Sequence, residues 1–335
     1  MLLKQKIALS RPESLLIPDF DRVKNILITG GLGYVGGRLA SALSPTHHVW
    51  VSSRNPIALG GHPSLQHLHC IRHDTLLNAF PENIDVVIHL AALNEIDSVS
   101  RPSDAIEVNI NQTRQLLDAS IKNSVSQFIY FSTVHVYGKM TAEMELDENA
   151  ITRPVHPYAI THRAAEDYVN AAHDAGKLKG VVVRLSNSFG MPVLPTVNRW
   201  TLLVNDICRQ VAERNEIRLQ SNGCQYRDFI TLTDVEAAVK FLIDYEPYTI
   251  PNTYNLCSGK SMKVLEMANL VSSVYKEMYH ESIPVVLPDN SVATEEPFYQ
   301  LKATNLEKLG FKPRNEFRNE LRLLIAFCKK NFSGI

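Results

Sequence analysis

Short apolar runs alternate with helical patterns over the first two thirds of the chain. Such apolar runs, separated by amphipathic helices, are typical of parallel strands that are buried on both faces. The chain therefore predicts a doubly wound α/β sheet. The predicted strands lie at 25–28, 48–52, 68–72, 85–90, 127–132 and 180–185, and the predicted helices between them at 34–43, about 102–122 and about 157–175.

The alternation weakens after Asn187, where Gly190, Pro192 and Pro195 follow closely. This change predicts that the chain leaves the sheet for a smaller C-terminal α/β lobe. Thr233 and Glu236 have the spacing of a capping box, which predicts a helix start and a return to the first domain. A short strand at 254–256 and helices at 262–279 and 316–329 are also expected. The predicted division is 24–190 with a return at about 228–258, the remainder of 191–335 as the lobe, and 1–23 as an N-terminal arm.

Charge and composition narrow the choice of partner. Of the 335 residues, 45% are hydrophobic and the formal net charge is -1, values usual for a globular protein. No block of Lys and Arg occurs, so we expect neither a nucleic acid nor an acidic membrane as partner. The near-neutral net charge favours a small-molecule partner.

The cysteines and the N-terminal sequence indicate the cellular compartment of the protein. The five cysteines are scattered and form no CxxC pair, which argues against a disulfide framework and for a reducing compartment. The start has no apolar run of signal-peptide length, and no later run approaches ~18 apolar residues. We therefore expect a cytoplasmic protein.

A glycine-rich turn, TGGLGYVGG at Thr29–Gly37, follows the first apolar run. The spacing of Gly30, Gly33 and Gly36 suits a strand that turns tightly into a helix, with bare backbone amides at the helix N-terminus. A dinucleotide pyrophosphate fits such a place. An ordinary glycine-rich βα turn is the alternative, because the triplet alone is weak evidence.

Further motifs in order make the chain resemble the extended short-chain dehydrogenase/reductases, in the NAD(P)-dependent sugar-nucleotide epimerase and dehydratase group. The resemblance covers about residues 25–312 and implies a Rossmann-type domain with a substrate lobe. The motifs after the glycine turn are HLAA at 89–92, FSTVHVYG at 131–138, YAITH at 158–162, RLSNSFG at 184–190, RDFITLTD at 227–234 and NLEKLGFKP at 305–313.

The resemblance implies hydride transfer between a sugar carbon and a nicotinamide, with a tyrosine moving the hydroxyl proton. Tyr158 matches that tyrosine, and Thr133 matches the residue that holds the substrate oxygen. The family lysine one helical turn later is replaced by His162, which still faces the same side of the helix. A neutral imidazole can hydrogen-bond a ribose hydroxyl but gives Tyr158 little electrostatic help. A working variant, a slow enzyme and a protein that binds cofactor without turnover all remain open.

The resemblance also implies a cofactor groove. NAD-preferring relatives carry an acidic residue at the end of the second strand, whereas this chain has Ser53 and Arg54, which could accept a 2'-phosphate. NADP is therefore favoured over NAD. Asp74 matches a residue near the adenine, and Leu90 and Ala91 match backbone that lines the groove. Tyr158 and His162 belong to both the catalytic and the cofactor-binding sets.

Substrate contacts are implied for His135, Asn187 and Arg227, the last two as ligands of a nucleotide diphosphate. Family 4,6-dehydratases have Asp-Glu directly after the catalytic threonine, but this chain has Val134 and His135. We therefore expect epimerisation or 4-keto reduction and not 4,6-dehydration. A non-catalytic NAD(P)-binding sensor or scaffold is the alternative, because Glu296 also stands near the place of a substrate-binding arginine.

Two smaller expectations complete the sequence analysis. His62, His67, His69, Cys70 and His73 cluster around the third strand. A polar, partly exposed strand explains them better than a metal site, so no metal is expected. Relatives pair through the two long helices of the first domain, which implies a homodimer.

Overall fold

The computed structural model describes residues 22–54, 62–139, 143–245, 248, 251–288 and 296–333. Seven parallel strands form its central sheet in the order β11-β7-β5-β4-β1-β2-β3. The strands are β1 (Asn25–Thr29), β2 (His48–Ser53), β3 (His69–Arg72), β4 (Val86–His89), β5 (Gln127–Thr133), β6 (Met144–Leu146), β7 (Lys179–Leu185), β8 (Asn187–Phe189), β9 (Ile217–Arg218), β10 (Tyr226–Thr231), β11 (Thr253–Leu256), β12 (Ser261–Lys263), β13 (Val285–Val286) and β14 (Tyr299–Leu301).

Helices cover both faces of the sheet, which confirms the predicted doubly wound α/β fold. All seven residues of β5 are buried, as a strand covered on both faces requires. The helices are α1 (Tyr34–Leu43), α2 (Glu95–Ser100), α3 (Pro102–Ile106), α4 (Gln112–Lys122), α5 (Pro157–Asp174), α6 (Leu203–Arg214), α7 (Leu232–Asp244), α8 (Val264–Tyr279), α9 (Thr304–Lys308) and α10 (Phe317–Phe332).

A second hydrophobic core lies beside the sheet, between α6, α8 and α10. A three-stranded sheet in the order β12-β10-β8 flanks it. The core of the main sheet takes in buried residues of α7 and β11, so the chain does come back to the sheet after α6. The domain limits themselves stay a prediction. The predicted N-terminal arm lies outside the described residues, apart from its last two.

The helix predicted at 102–122 is interrupted by a π-helical segment, Glu107–Asn111. Asn109 in this segment is buried; its Oδ1 accepts from Leu93 N at 2.7 Å and its Nδ2 donates to Thr161 Oγ1 at 2.9 Å. Such wide turns often occur next to functional sites. Here the segment ties α5 to the loop after β4.

The capping box predicted at Thr233 and Glu236 is wrong. The N-cap of α7 is Thr231, whose Oγ1 accepts from Asp234 N at 3.0 Å. Thr233 lies inside the helix and donates to Glu320 Oε2 at 2.5 Å, while Glu236 pairs with Arg38. Because Thr231 and Asp234 have the same spacing as Thr233 and Glu236, tertiary contacts decide which threonine caps the helix.

Within the described ranges, no helix is both long enough and apolar enough to cross a bilayer. The same residues contain no group of three or more His, Cys, Asp or Glu side chains that could hold a metal ion. His69 of the histidine cluster stacks on Trp50 with ring centroids 4.9 Å apart, and His73 Nδ1 lies 3.2 Å from Ser52 Oγ. These two histidines therefore have contacts of their own.

Candidate active site

The glycine turn forms a tight cradle at the N-terminus of α1. Gly30 has φ +66°, and its carbonyl accepts from Gly33 N at 2.8 Å. A Cβ on Gly36 would overlap that same carbonyl oxygen, so only glycine lets helix and strand approach so closely. Gly33 is the N-cap of α1, makes no side-chain cap, and no acidic residue lies in the first turn. The end of α1 is thus left open for an anion.

A buried hydrogen-bond network holds the backbone beside this cradle. Thr29 Oγ1 accepts from both Leu90 N and Ala91 N at 3.2 Å. Thr29 Oγ1 also lies 2.6 Å from His89 Nδ1, and His89 Nε2 lies 2.8 Å from Thr113 Oγ1. Burial lowers the pKa of His89 to about 3, so its ring is neutral. The amides of Leu90 and Ala91 are therefore used within the protein.

A single cleft of about 640 Å³ joins the cradle to the predicted catalytic residues. It runs along the carboxyl ends of β1, β2, β4, β5 and β7, where ligands bind in doubly wound sheets. The predicted residues that line it are Gly30, Gly33, Gly36, Ser53, Arg54, Leu90, Ala91, Thr133, His135, Tyr158, His162 and Asn187. Asp74 and Arg227 are not among the lining residues.

Thr133 and Tyr158 meet where β5 ends beside the first turn of α5. Both side chains line the cleft. Burial raises the pKa of Tyr158 well above its ordinary value, Glu95 raises it further, and Arg199 and Thr133 lower it. The phenol is therefore protonated in the protein alone. It can donate a proton directly, but to accept one it first needs help in losing its own.

His162 lies one turn after Tyr158 on α5, and its ring contacts the Tyr158 ring with centroids 4.2 Å apart. Its Nδ1 lies 2.8 Å from the Tyr158 carbonyl oxygen, so Nδ1 carries the proton and Nε2 is left as an acceptor. Burial lowers the pKa of His162 to about 4. The imidazole is therefore neutral at pH 7 and does not supply the missing positive charge.

The predicted substrate residues lie at the far end of the cleft or beside it. His135 is accessible from the cleft, and loss of hydration there lowers its pKa. Asn187 Nδ2 donates to the Asp228 carbonyl at 2.8 Å. Arg227 NH1 donates to the Tyr226 carbonyl at 2.7 Å. Its charge lowers the pKa of His135 further. Glu296 is exposed.

The predicted adenosine residues divide between the cleft and the surface. Ser53 and Arg54 stand at the end of β2 and line the cleft. Asp74 is exposed and forms an ion pair with Arg72 at 2.7 Å. His73, which sequence analysis grouped with the histidine cluster, lines the cleft instead.

Sequence analysis missed three charged residues of the cleft, Glu95, Asp97 and Arg199. Arg199 NH1 donates to Glu95 Oε2 at 2.9 Å. Burial alone would raise the pKa of Glu95, but the guanidinium overrides it and the net shift is downward. Asn94 and Asp97 have N-cap spacing and could have indicated α2, which begins at Glu95. Nothing local marks Arg199.

Comparison with known proteins agrees with this geometry. The family described as "NAD dependent epimerase/dehydratase family" matches residues 26–257, well over half of the chain. The chain belongs to this family. The predicted resemblance is therefore confirmed.

Relatives of this family member catalyse different reactions. It is 27% identical to a dTDP-D-glucose 4,6-dehydratase of Bos taurus, over 96% of this chain and 93% of that protein. It is 26% identical to a GDP-6-deoxy-D-mannose reductase of Pseudomonas aeruginosa, over 75% of this chain and 80% of that protein.

A solved structure also resembles this family member. It is a UDP-N-acetylglucosamine 4-epimerase from Methanobrevibacter ruminantium in complex with UDP-N-acetylmuramic acid. The TM-score is 0.75 with 25% identity, covering 91% of this chain and 98% of that one. The similar proteins thus share a fold and sugar-nucleotide chemistry but not one reaction.

Proposed function

We propose that the protein is an NAD(P)-dependent oxidoreductase or epimerase that acts on a nucleotide-linked sugar. The observation that carries this proposal is the single cleft in which the glycine cradle and the Thr133–Tyr158 pair meet. An uncapped helix N-terminus suits a pyrophosphate, and a phenol beside a hydroxyl suits a sugar oxygen. Family membership supports the same assignment.

In the proposed mechanism, the glycine cradle at Gly30, Gly33 and Gly36 would hold an NAD(P) whose nicotinamide would supply hydride chemistry, and the residues of the protein handle the proton. Thr133 binds the reacting sugar oxygen and holds it against Tyr158. Tyr158 takes the hydroxyl proton during oxidation and gives a proton back during reduction. His162 accepts a hydrogen bond from a ribose hydroxyl at Nε2, because its Nδ1 proton is engaged by the Tyr158 carbonyl. Asn187 and Arg227 are proposed to hold the substrate's nucleotide part.

The proposed reaction is epimerisation or 4-keto reduction. Val134 and His135 follow Thr133, so the carboxylate pair implied for 4,6-dehydratases is missing at these positions. His135 is largely neutral at pH 7 because loss of hydration inside the cleft lowers its pKa, and it would contact the sugar as a neutral hydrogen-bonding group. The 4,6-dehydratases among the relatives do not change this proposal, since their identity to the chain is only 27%.

The experiment that tests the function is a substrate panel. Purified protein is incubated with UDP-, GDP- and dTDP-sugars and with their 4-keto forms, while NAD(P)H absorbance and epimer ratios are followed. Epimer exchange or NAD(P)H oxidation supports the proposal. Release of a 4-keto-6-deoxy product would instead overturn the exclusion of dehydration.

A cofactor-binding protein without turnover is the second candidate, and the neutral state of His162 favours it. The change His162→Lys separates the two. A lysine cation would stabilise the Tyr158 phenolate, so turnover at neutral pH should rise about tenfold if proton transfer limits the rate. If the His162→Lys variant binds the cofactor but turns over no substrate of the panel, the non-catalytic candidate is favoured.

NADP is proposed as the preferred cofactor, since the described end of β2 has Ser53 and Arg54 and no carboxylate. Arg54→Ala should weaken NADPH binding about 10- to 100-fold, the value of one charge-assisted hydrogen bond, and leave NADH binding unchanged. Fluorescence titration measures both affinities. Arg72→Ala, another exposed arginine at this sheet edge, is the control. Tighter binding of NADH by the unaltered protein would contradict the preference.

A homodimer in a reducing compartment such as the cytoplasm is also proposed. Exposed apolar side chains gather on neighbouring α2, α3 and α5, among them Ile96, Val99, Ile106 and Ile160 at 48 to 66% exposure. A second copy would cover them. Light scattering should give twice the mass of the 37.6 kDa chain.

The five cysteines are free, as a reducing compartment allows, and thiol titration should find all five.

A further inference from the structure

The Glu95–Arg199 ion pair lies in the cleft that the proposed catalytic tyrosine also lines. Glu95 comes from the first turn of α2, after β4, and Arg199 comes from the loop before α6. Their side chains are 39% and 27% exposed, so water screens the pair only in part. Both residues line the same cleft as Tyr158.

Both partners are anchored by their own surroundings. Asn94 caps α2 by accepting from Asp97 N at 2.8 Å, which fixes the turn that carries Glu95. The Arg199 carbonyl accepts from Leu202 N at 3.3 Å and from Asn205 Nδ2 at 3.2 Å. The backbone segments that carry the two charges are therefore held in place independently of each other.

Arg199 is also linked to the cofactor cradle. Asn205, which anchors the Arg199 carbonyl, accepts through Oδ1 from the hydroxyl of Tyr34 at 3.1 Å. Tyr34 is the first residue of α1, the helix that begins at the glycine turn. The loop that carries Arg199 also packs on α1 through Leu194 and Val197.

Polar and titratable groups face Tyr158 from several elements. They are His156 just before α5, His162 in α5, Tyr130 and Thr133 in β5, His135 after β5, Glu95 in α2 and Arg199 before α6. Of the side chains that shift the pKa of Tyr158, Glu95 and Arg199 are the two that carry a full charge.

We propose that the Glu95–Arg199 pair sets the protonation of Tyr158: Arg199 offers the positive charge that the catalytic motif lacks at His162, and Glu95 outweighs it. The proposal rests on the proposed function, because it assigns the two residues a positioning role in proton transfer by Tyr158. Arg199 keeps its charge throughout the working range, unlike a histidine. Arg199 alone would favour the phenolate, whereas Glu95 alone would favour the neutral phenol.

Opposite effects of two substitutions follow from this. Glu95→Gln leaves Arg199 unopposed and lowers the pKa of Tyr158, whereas Arg199→Gln leaves Glu95 unopposed and raises it. If the ion pair were only structural, both substitutions would break it equally. The pKa of Tyr158 would then shift in the same direction in both variants. The sign of the change therefore separates the two roles.

The first test needs no turnover. A fluorinated tyrosine, whose phenol titrates at lower pH, is incorporated at position 158 and titrated by fluorine NMR. The titration midpoint should fall in Glu95→Gln and rise in Arg199→Gln, and it should stay constant in Glu277→Gln, which breaks a surface pair with Arg318 on α10. Midpoints that move together, or that do not move, overturn the proposal even if the protein has no activity.

The second test applies to a substrate found in the panel. In the oxidation direction at neutral pH, kcat/KM should rise about three- to tenfold in Glu95→Gln and fall by a similar factor in Arg199→Gln. The alkaline half of the pH profile should shift in the same order. Loss of activity in both variants with unchanged pH profiles would overturn the positioning role while leaving the proposed function intact.

Discussion

Replacement of Tyr158 by phenylalanine is expected to lower kcat about 10²- to 10⁴-fold on whichever sugar nucleotide the protein accepts. In the proposed mechanism, the phenol oxygen exchanges a proton with the sugar hydroxyl held by Thr133. Phenylalanine keeps the ring contact with His162 and removes only the hydroxyl. Cofactor affinity should change by less than about tenfold, the value of one hydrogen bond. Single-turnover kinetics and cofactor titration measure the two effects.

Tyr130→Phe is the matched control for this change. The Tyr130 hydroxyl is buried without a hydrogen-bond partner among the described residues, and its ring centroid lies 6.1 Å from that of His162. Its removal should leave turnover unchanged and the protein no less stable, because an unsatisfied buried hydroxyl stabilises nothing. Equal activity of Tyr158→Phe and the unaltered protein would remove Tyr158 from the mechanism.

The central sheet could be predicted because its signal is local. Each buried strand is an apolar run of four to seven residues, and each predicted strand lies within two residues of the observed one. The short strands β8 and β10 were missed as strands, although their residues were recognised as motifs. They pair with each other across about 40 residues, a contact that no local pattern records.

The candidate site was predictable where its residues follow strand ends, as Thr133 and the glycine turn do. The charge state of His162 was not, because it depends on burial between α5 and its neighbours. The Glu95–Arg199 pair was not predictable either, since 104 residues separate its members. Sequence analysis therefore found the groups that we propose to move protons and missed the charged pair that we propose to act on them.

Loss of the buried Glu166 carboxylate is expected to have the largest effect on stability. Glu166 is fully buried; it accepts from Arg184 Nε at 3.1 Å and NH2 at 2.8 Å, and from Ser132 Oγ at 2.5 Å. Burial alone would lower the pKa of Arg184, but Glu166 overrides it and the net shift is upward. Glu166→Ala would leave the guanidinium charged without its partner carboxylate. The free energy of unfolding should fall by about 3–5 kcal/mol.

The same substitution should also affect the site, because Glu166 continues the helix face that carries Tyr158 and His162. Ser132 immediately precedes Thr133 on β5, so the Ser132–Glu166–Arg184 contacts hold α5 against β5 where Thr133 and Tyr158 meet. Urea unfolding measures the loss, and turnover well below the melting temperature measures any displacement of the site. Glu277→Ala, which removes a surface ion pair, should lower the free energy of unfolding by less than about 1 kcal/mol.

A double substitution decides whether the loss comes from a stranded charge or from lost packing. Glu166→Gln with Arg184→Met removes both charges and keeps most of the side-chain volume. If the stranded guanidinium causes the loss, the double variant should be more stable than Glu166→Gln alone, which keeps the volume at position 166, by about 1 kcal/mol or more. A double variant no more stable than Glu166→Gln would contradict this, because it would show that the hydrogen bonds from Ser132 to Glu166 and from Arg184 to Tyr137 matter more than the stranded charge.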